Sequence, residues 1–378
     1  MSRRVRGSGE GPRLATPAES DQLGELMSRS FGFHQHREAR PQRRRPRHRH
    51  GVRGSWVLER DGKLVSHIKL VYNHLSIFGC RLKISSIGGV GTDPDYRGQG
   101  LATTLLEHCL NEATRAGAAL MLISGQRGLY RRASAVNAGG TFEVTVEPGS
   151  IRAEGEHSVR PVQSEDWLAC ARLYQAEPVR FIRSADFFRR SLTTGWHREA
   201  WVVESRGGMV AYIRLGRGWG REHDRPWRNV VEYAGARAAL VGALPSMLKA
   251  GGIGQLDFCF PRHDQELAYI FASEGLERKA TTIADHTIRL LHLPTLMRSL
   301  RPYLRARLAP AEARQLAFGQ EEETCVFGYG DDRISLDLGQ SARLCLGGRG
   351  AVSVSGELGR VLASLFPVPL PLPGMNYV

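Results

Sequence analysis

Apolar residues recur along this chain with two different periods, and the switches between them mark its elements. "SWVLERDGKLVSHIKLVYN" (Ser55–Asn73) alternates apolar and polar positions on either side of Asp61-Gly62, a pair suited to a tight hairpin turn. "RLKISSIGGVGT" (Arg81–Thr92) reads as a further strand. "GLATTLLEHCLNEATRAG" (Gly100–Gly117) changes to helical spacing, with Gly117 as its stop. "AALMLIS" (Ala118–Ser124) is short and continuously apolar, the mark of a buried strand. Ahead of these, "RLATPAESDQLGELMSRSF" (Arg13–Phe31) predicts a short strand, a turn and an amphipathic helix, with Ser20 or Asp21 placed to cap the helix.

The pattern then repeats. "AWVVESRGGMVAYIRL" (Ala200–Leu215) aligns without gaps on "SWVLERDGKLVSHIKL" (Ser55–Leu70) at an offset of 145, from Ser55 to Ala200. "VRPVQSEDWLACARLY" (Val159–Tyr174) echoes the segment from Arg13 to Phe31. "NVVEYAG" and "QLDFCF" stand where the first half has "SSIGGVG" and "ALMLIS". Two α/β units of one ancestry are expected. From Leu293 the pattern changes to a basic amphipathic helix, "LPTLMRSLRPYLRARL". Short strands follow at "EETCVFGYG", "RISLDLG", "ARLCLGG" and "AVSVSG", then a helix, "ELGRVLASLF", and the Pro-rich tail "PVPLPLPGMNYV". This is a small third unit of α+β type. The expected division is a disordered tail over 1–12, then units over 13–157, 158–292 and 293–378, with a basic insert at 34–53.

Composition narrows the class. A chain of 378 residues exceeds the usual single core. No apolar run approaches the ~18–20 residues of a membrane span. The Arg-rich start has no apolar core of a secretory signal, so a soluble cytoplasmic protein is expected. Six cysteines lie far apart with no C-x-x-C pair, which argues for buried thiols and against a metal site. Net charge is +14, and Arg37–Arg53 alone holds eight Arg against one Glu. That segment suits phosphate contacts with nucleic acid, an acidic acceptor or a membrane surface, or is a solvated insertion. It has no interleaved aromatic residues, which argues against base stacking.

"DPDYRGQGLATT" (Asp93–Thr104) puts poor helix formers where a helix must begin. A helix start exposes unpaired N–H groups and the positive end of the helix dipole. Glycines let those groups reach an anion, and Arg97 adds charge, so the stretch is a phosphate cradle. Neither G-x-x-x-x-G-K-[ST] nor G-x-G-x-x-G is present to point to a nucleoside triphosphate or a dinucleotide.

Arg97–Ala102 fits R-x-x-G-x-A, and this motif, with its strand and helix order, resembles the GCN5-related N-acetyltransferase (GNAT) superfamily. The three-part layout is similar to the enhanced-intracellular-survival acetyltransferases: an active GNAT unit, a degenerate copy without the motif, and a sterol-carrier-like C-terminal unit. The resemblance implies an α/β (α+β) fold of tandem GNAT-like domains with that small third domain. It implies acetyl-CoA as cosubstrate, an amine acceptor and hexameric assembly. Val90, Gly91 and Thr92 would bind the pantetheine arm. Arg97, Gly98, Gln99, Gly100, Leu101, Ala102 and Thr103 would hold the pyrophosphate. "ALMLIS" would splay from its neighbour, and Gly125 and Gln126 at its end would complete the cofactor site. Tyr130 would protonate the departing thiolate, for which a phenol of pKa about 10 is suited. The family's sequel Y-x-x-x-G-[FY] is replaced here by "YRRASAVNAGGTF". The family's base is the C-terminal carboxylate, here that of Val378, and the stiff Pro-rich tail suits such a reach. His67 and His34 are alternative bases. A non-catalytic CoA sensor or nucleic-acid binder that keeps the fold is the rival reading.

Overall fold

A computed structural model describes residues 11–32, 52–152, 157–193, 199–216, 226–283, 286–348, 350 and 352–376. The first strands are β1 (Arg13–Leu14), β2 (Ser55–Arg60), β3 (Lys63–Ile77), β4 (Cys80–Thr92), β5 (Leu120–Ser124) and β6 (Gly140–Val146). Then come β7 (Ser158–Pro161), β8 (Val179–Phe181), β9 (Glu199–Ser205), β10 (Gly208–Gly216) and β11 (Trp227–Gly235). The rest are β12 (Gln255–Pro261), β13 (Lys279–Thr282), β14 (His286–Leu290), β15 (Leu316–Glu321), β16 (Thr324–Tyr329) and β17 (Asp332–Asp337).

The β2–β3 turn forms at Asp61-Gly62, where φ is +50° and +75°, the left-handed pair that a two-residue hairpin needs. The first sheet has the order β1-β2-β3-β4-β5-β14, with β8 added along β3. The second has the order β13-β6-β12-β11-β10-β9-β7. The sheets therefore exchange strands. β6 leaves the first unit to pair with β12 and β13, and β14 returns from the second half to lie antiparallel to β5.

The repeat extends to irregularities. In the first hairpin Leu58 pairs with Ser66 and Glu59 with Leu64, a one-residue bulge. In the second, Val203 pairs with Ala211 and Glu204 with Met209, each 145 positions later. A bulge adds twist at one point of a strand. Both hairpins are twisted at the same place.

Helix α1 (Ser20–Phe31) lays Leu23, Leu26 and Met27 on β3 and β4. Its entry is held by Thr16 and Glu19, whose carboxylate accepts from the Thr16 N–H at 2.6 Å, and not by Ser20 or Asp21. Helix α2 (Leu101–Arg115) buries Leu101, Leu105, Leu106, Cys109 and Ala113 along one face against the same sheet. Each such leucine contributes roughly 1.5–3 kcal/mol on burial. Gly117, at φ +77°, ends this helix.

β15, β16 and β17 form an antiparallel sheet with helices Leu293–Ser299 and Gly356–Leu365 about it. One expectation fails here. "ARLCLGG" is no strand but the end of the helix Leu338–Leu346. Asp337 accepts from the Gln340 N–H at 2.7 Å, and Gln340 accepts in return from the Asp337 N–H at 3.0 Å. This capping box starts a helix whose buried Leu338, Ala342, Cys345 and Leu346 recur at helical spacing. "AVSVSG" forms no strand among its described residues either. Most of the basic insert lies outside the described residues. No helix among the described residues is long and apolar enough to cross a membrane.

Candidate active site

β4 and β5 run parallel and pair from Ile84–Leu120 to Ile87–Ile123, where pairing stops. β4 continues from Gly88 to Thr92 along β3 alone, so its other edge opens a slot facing the end of β5. The opening has a local cause. Between His67 and Lys69, β3 advances two residues while β4 advances three, from Gly91 back to Gly88. The extra residue lies beside Gly89, whose φ is +59°. A side chain there would also meet Met27 and His67, at 3.1 and 3.2 Å. His67 Nδ1 lies 2.7 Å from the Gly89 carbonyl, and the ring is 3% exposed. Its position ties the bulge.

At the mouth of the slot the chain passes from Thr92 through Asp93 to α2. Asp93 is 1% exposed, and its carboxylate accepts from the Asp95 N–H and pairs with Lys63 at 3.0 Å and Arg29 at 3.1 Å. Burial alone would raise its pKa, but Lys63, the Asp95 amide and Arg29 together hold it below the usual carboxylate value. With the loop so anchored, Gly98 and Gly100 both stand at φ +77°, with open space beside them. Their backbone requires glycine, not their surroundings. Gly100 caps α2 without a side chain. Consequently none of the backbone N–H groups of Gly98, Gln99, Gly100, Leu101, Ala102 and Thr103 has a partner among the described residues. Six consecutive free donors at a helix N-terminus make an anion cradle. Arg97 stands beside it, with its guanidinium donating to Ser30 O at 3.0 Å and Thr92 O at 3.4 Å. Its charge borders the cradle while its hydrogen bonds join α1 to the end of β4.

Beyond β5 the chain turns at Gly125 into helix α3 (Gly128–Arg132), which carries Tyr130. Tyr130 is 2% exposed and belongs to one buried apolar cluster with Ile87, Val90, Leu101 and Ile123. Its phenol makes no hydrogen bond among the described residues. Burial raises its pKa, partly offset by Arg127, so it is a protonated donor at neutral pH. Arg127 spans the slot and donates to Val90 O at 3.3 Å. Thr287, on β14, donates to Gly125 O at 3.1 Å. Gln126 is exposed at the slot end.

The second sheet carries the same opening, differently filled. β11 and β12 pair from Trp227–Gln255 to Asn229–Asp257 and then part. The next helix starts at Arg237, two positions after Gly235, whereas Leu101 follows Thr92 by nine. No cradle fits in that length. Arg237 is engaged instead with Glu177 at 2.6 Å and Asp264 at 3.0 Å. The chain's own tail reaches this strand. Gly374 lies against β11, where a Cβ would come 3.0 Å from Val231 O. Arg183 donates to Asn376 Oδ1 at 2.9 Å and to Glu232 at 2.5 Å, and Tyr212 donates to Glu232 at 2.8 Å. Tyr377 and Val378 lie outside the described residues, as does His34.

Asp93, Arg127, Gly89 and Thr287 were not singled out from sequence. Asp93-Pro94 and the Gly88-Gly89 pair inside a strand are local signals that point to a turn and a bulge. Thr287 has no local signal, because it reaches the site through strand exchange.

Residues 12–134 match the model of the acetyltransferase (GNAT) domain. Solved structures extend the likeness in fold to nearly the whole chain. A GCN5-related N-acetyltransferase from Anabaena variabilis has a TM-score of 0.64 at 14% identity, covering 96% of this chain and 98% of that one. One from Kribbella flavida has 0.63 at 15%, covering 96% and 98%. Eis1 from Mycobacterium abscessus has 0.60 at 14%, covering 96% and 99%. No curated protein matches significantly by sequence.

Proposed function

We propose that the chain is an acetyl-CoA-dependent N-acetyltransferase of the cytoplasm, acting on an amine of a small molecule, a peptide or a lysine side chain. The observation that carries this reading is the run of six free amides, Gly98 to Thr103, at the mouth of the β4–β5 slot. The pyrophosphate of acetyl-CoA sits on those amides and the pantetheine arm runs along Val90, Gly91 and Thr92. The thioester lies in the opening beside Tyr130. The unit over 13–157 is catalytic, 158–292 is its inactive copy and 293–378 is accessory, with β6 and β14 exchanged between the first two.

The transfer balances directly. The neutral amine attacks the thioester carbonyl, a C–N bond forms and the C–S bond breaks. The amine proton leaves to a base and Tyr130 supplies the proton that the thiolate takes up. In this reading the base is the carboxylate of Val378. Support comes from the tail, which is held by Arg183 through Asn376, two residues before the chain end. Holding amine and thioester together supplies much of the remaining acceleration.

Calorimetry with CoA and thiol release against a panel of polyamines test the reading together. CoA binds, and at least one amine drives thiol release. Tyr130→Phe lowers turnover by ~100-fold or more with CoA affinity nearly unchanged. One residue added after Val378 lowers turnover as well. No heat of CoA association would overturn the proposal. Full turnover in either variant removes that group from the mechanism.

A further inference from the structure

The two sheets differ at one matched position beside the slot. Lys69 on β3 and Arg214 on β10 correspond at the offset of 145. Each stands across the ladder from a residue of the next strand: Arg214 pairs with Glu232, and Lys69 pairs with Gly88. In the second sheet the cation therefore faces a carboxylate. Arg214 is 1% exposed, and although burial would raise the pKa of Glu232, Arg183 and then Arg214 hold it below the ordinary carboxylate value. In the first sheet the cation is kept, but Gly88 has no side chain to offer it. Lys69 is half-buried with no ion-pair or hydrogen-bond partner among the described residues. The other lysines of this unit are engaged, Lys63 with Asp93 at 3.0 Å and Lys83 with Ala116 O at 2.5 Å.

Gly88 is also the first residue of β4 beyond its pairing with β5, so Lys69 stands at the floor of the slot. Cross-strand partners share a face of a sheet, and so do residues two apart on one strand. Lys69, Ser86, Gly88 and Ser124 thus lie on one face, because Ser86 pairs with both Val71 and Leu122. Ile68, Ile87 and Ile123 lie on the other, in the cluster that contains Tyr130. With the acid on that face, an amine reaches the thioester from the face of Lys69. Ser86 Oγ on this face is buried without a partner among the described residues. A half-buried ammonium without a counter-ion is costly, and burial here lowers the Lys69 pKa. A carboxylate brought by the ligand offsets that cost, as the charge of Glu232 opposes the effect of burial on Arg214. The acetyl group carries no charge, so the anion comes with the acceptor.

We propose that the acceptor is an amino acid, its carboxylate held by Lys69 and its amine turned to the thioester over Gly88. This rests on the acetyltransferase reading and adds no covalent step to the transfer. The Lys69 charge also favours the neutral amine over a second cation at the site. The test compares acceptors that differ by the carboxylate alone, lysine against cadaverine and ornithine against putrescine, by thiol release from acetyl-CoA. The amino acid of each pair is expected to have the higher kcat/KM by ~10-fold or more, mostly through KM. Lys69→Met brings that ratio close to one with the heat of CoA association retained, and Lys69→Arg restores most of it. Thiol release with equal kcat/KM in both pairs overturns the inference and leaves the acetyltransferase reading standing. A Lys69→Met variant that keeps the ratio overturns it as well, and assigns Lys69 to the chain's own base or to the fold. No heat of CoA association and no release with any acceptor overturns the reading and the inference together.

Discussion

Gly125 backs the ring of Tyr130: a Cβ on Gly125 would come 3.4 Å from Tyr130 Cε2. Gly125 stands at φ +127°, a conformation that side chains rarely adopt. Gly125→Ala therefore strains the turn by about 1–3 kcal/mol and presses on the phenol. We expect turnover to fall with a smaller loss of CoA affinity. Single-turnover kinetics beside CoA calorimetry check this.

The buried phenol also sets a pH dependence. Burial raises the pKa of Tyr130, so it keeps its proton through neutral and mildly alkaline pH. The alkaline limb of kcat then lies above the ordinary tyrosine value of about 10. Tyr130→Phe removes that limb along with most of the rate. A pH–rate profile of both proteins is the measurement.

Gly98 and Gly100 need their left-handed backbone. Gly100→Ala costs about 1–2 kcal/mol in that conformation and turns the amides away from the cradle. CoA affinity falls by ~10-fold or more, and Gly100→Asn falls less, because asparagine tolerates this region better. Equal affinity in the alanine variant contradicts the cradle.

Asp93 links stability to acid. Its folded pKa is lowered, so its contribution is fully present above the unfolded carboxylate value of about 4. It is lost as pH falls through the folded value. Lys63 and Arg29 are partly exposed, so Asp93→Asn costs only about 1–3 kcal/mol at neutral pH. The difference from the parent protein shrinks on acidification. Urea unfolding between pH 3 and 7 measures it.

Arg183 and Glu232 are 2% and 6% exposed in their side chains, and the tail closes over them through Asn376. Glu232→Ala leaves the guanidinium buried and unpaired, at a cost of about 3–5 kcal/mol. Asn376→Ala costs less but frees the tail. Faster carboxypeptidase digestion of the Asn376 variant, with the melting temperature little changed, is the expected result.

Much of this was legible along the chain. Asp61-Gly62 signals its hairpin because a turn needs only its own two residues. The cradle is legible for the same reason: Gly98 and Gly100 lie beside the helix whose amides they expose. The helix Leu338–Leu346 is not legible in the same way, because its short apolar run suits strand and helix alike. The Asp337–Gln340 capping box decided it, from just outside the run. The bulge at Gly89 was signalled by two adjacent glycines, but its role needed His67 from the neighbouring strand.

Local pattern by itself determined most strands and helices and the glycine-rich turn that opens α2, because these depend on residues a few positions apart, and two copies of one such pattern made the repeat at 145 positions visible. Tertiary structure alone decided the exchange of β6 for β14, the hold of Thr287 on Gly125 and the seating of the tail against β11. Those contacts join residues more than a hundred positions apart, and an edge strand offers the same unpaired backbone groups to any partner. Which partner arrives is settled by how the apolar faces pack, and no stretch of the chain contains that information alone.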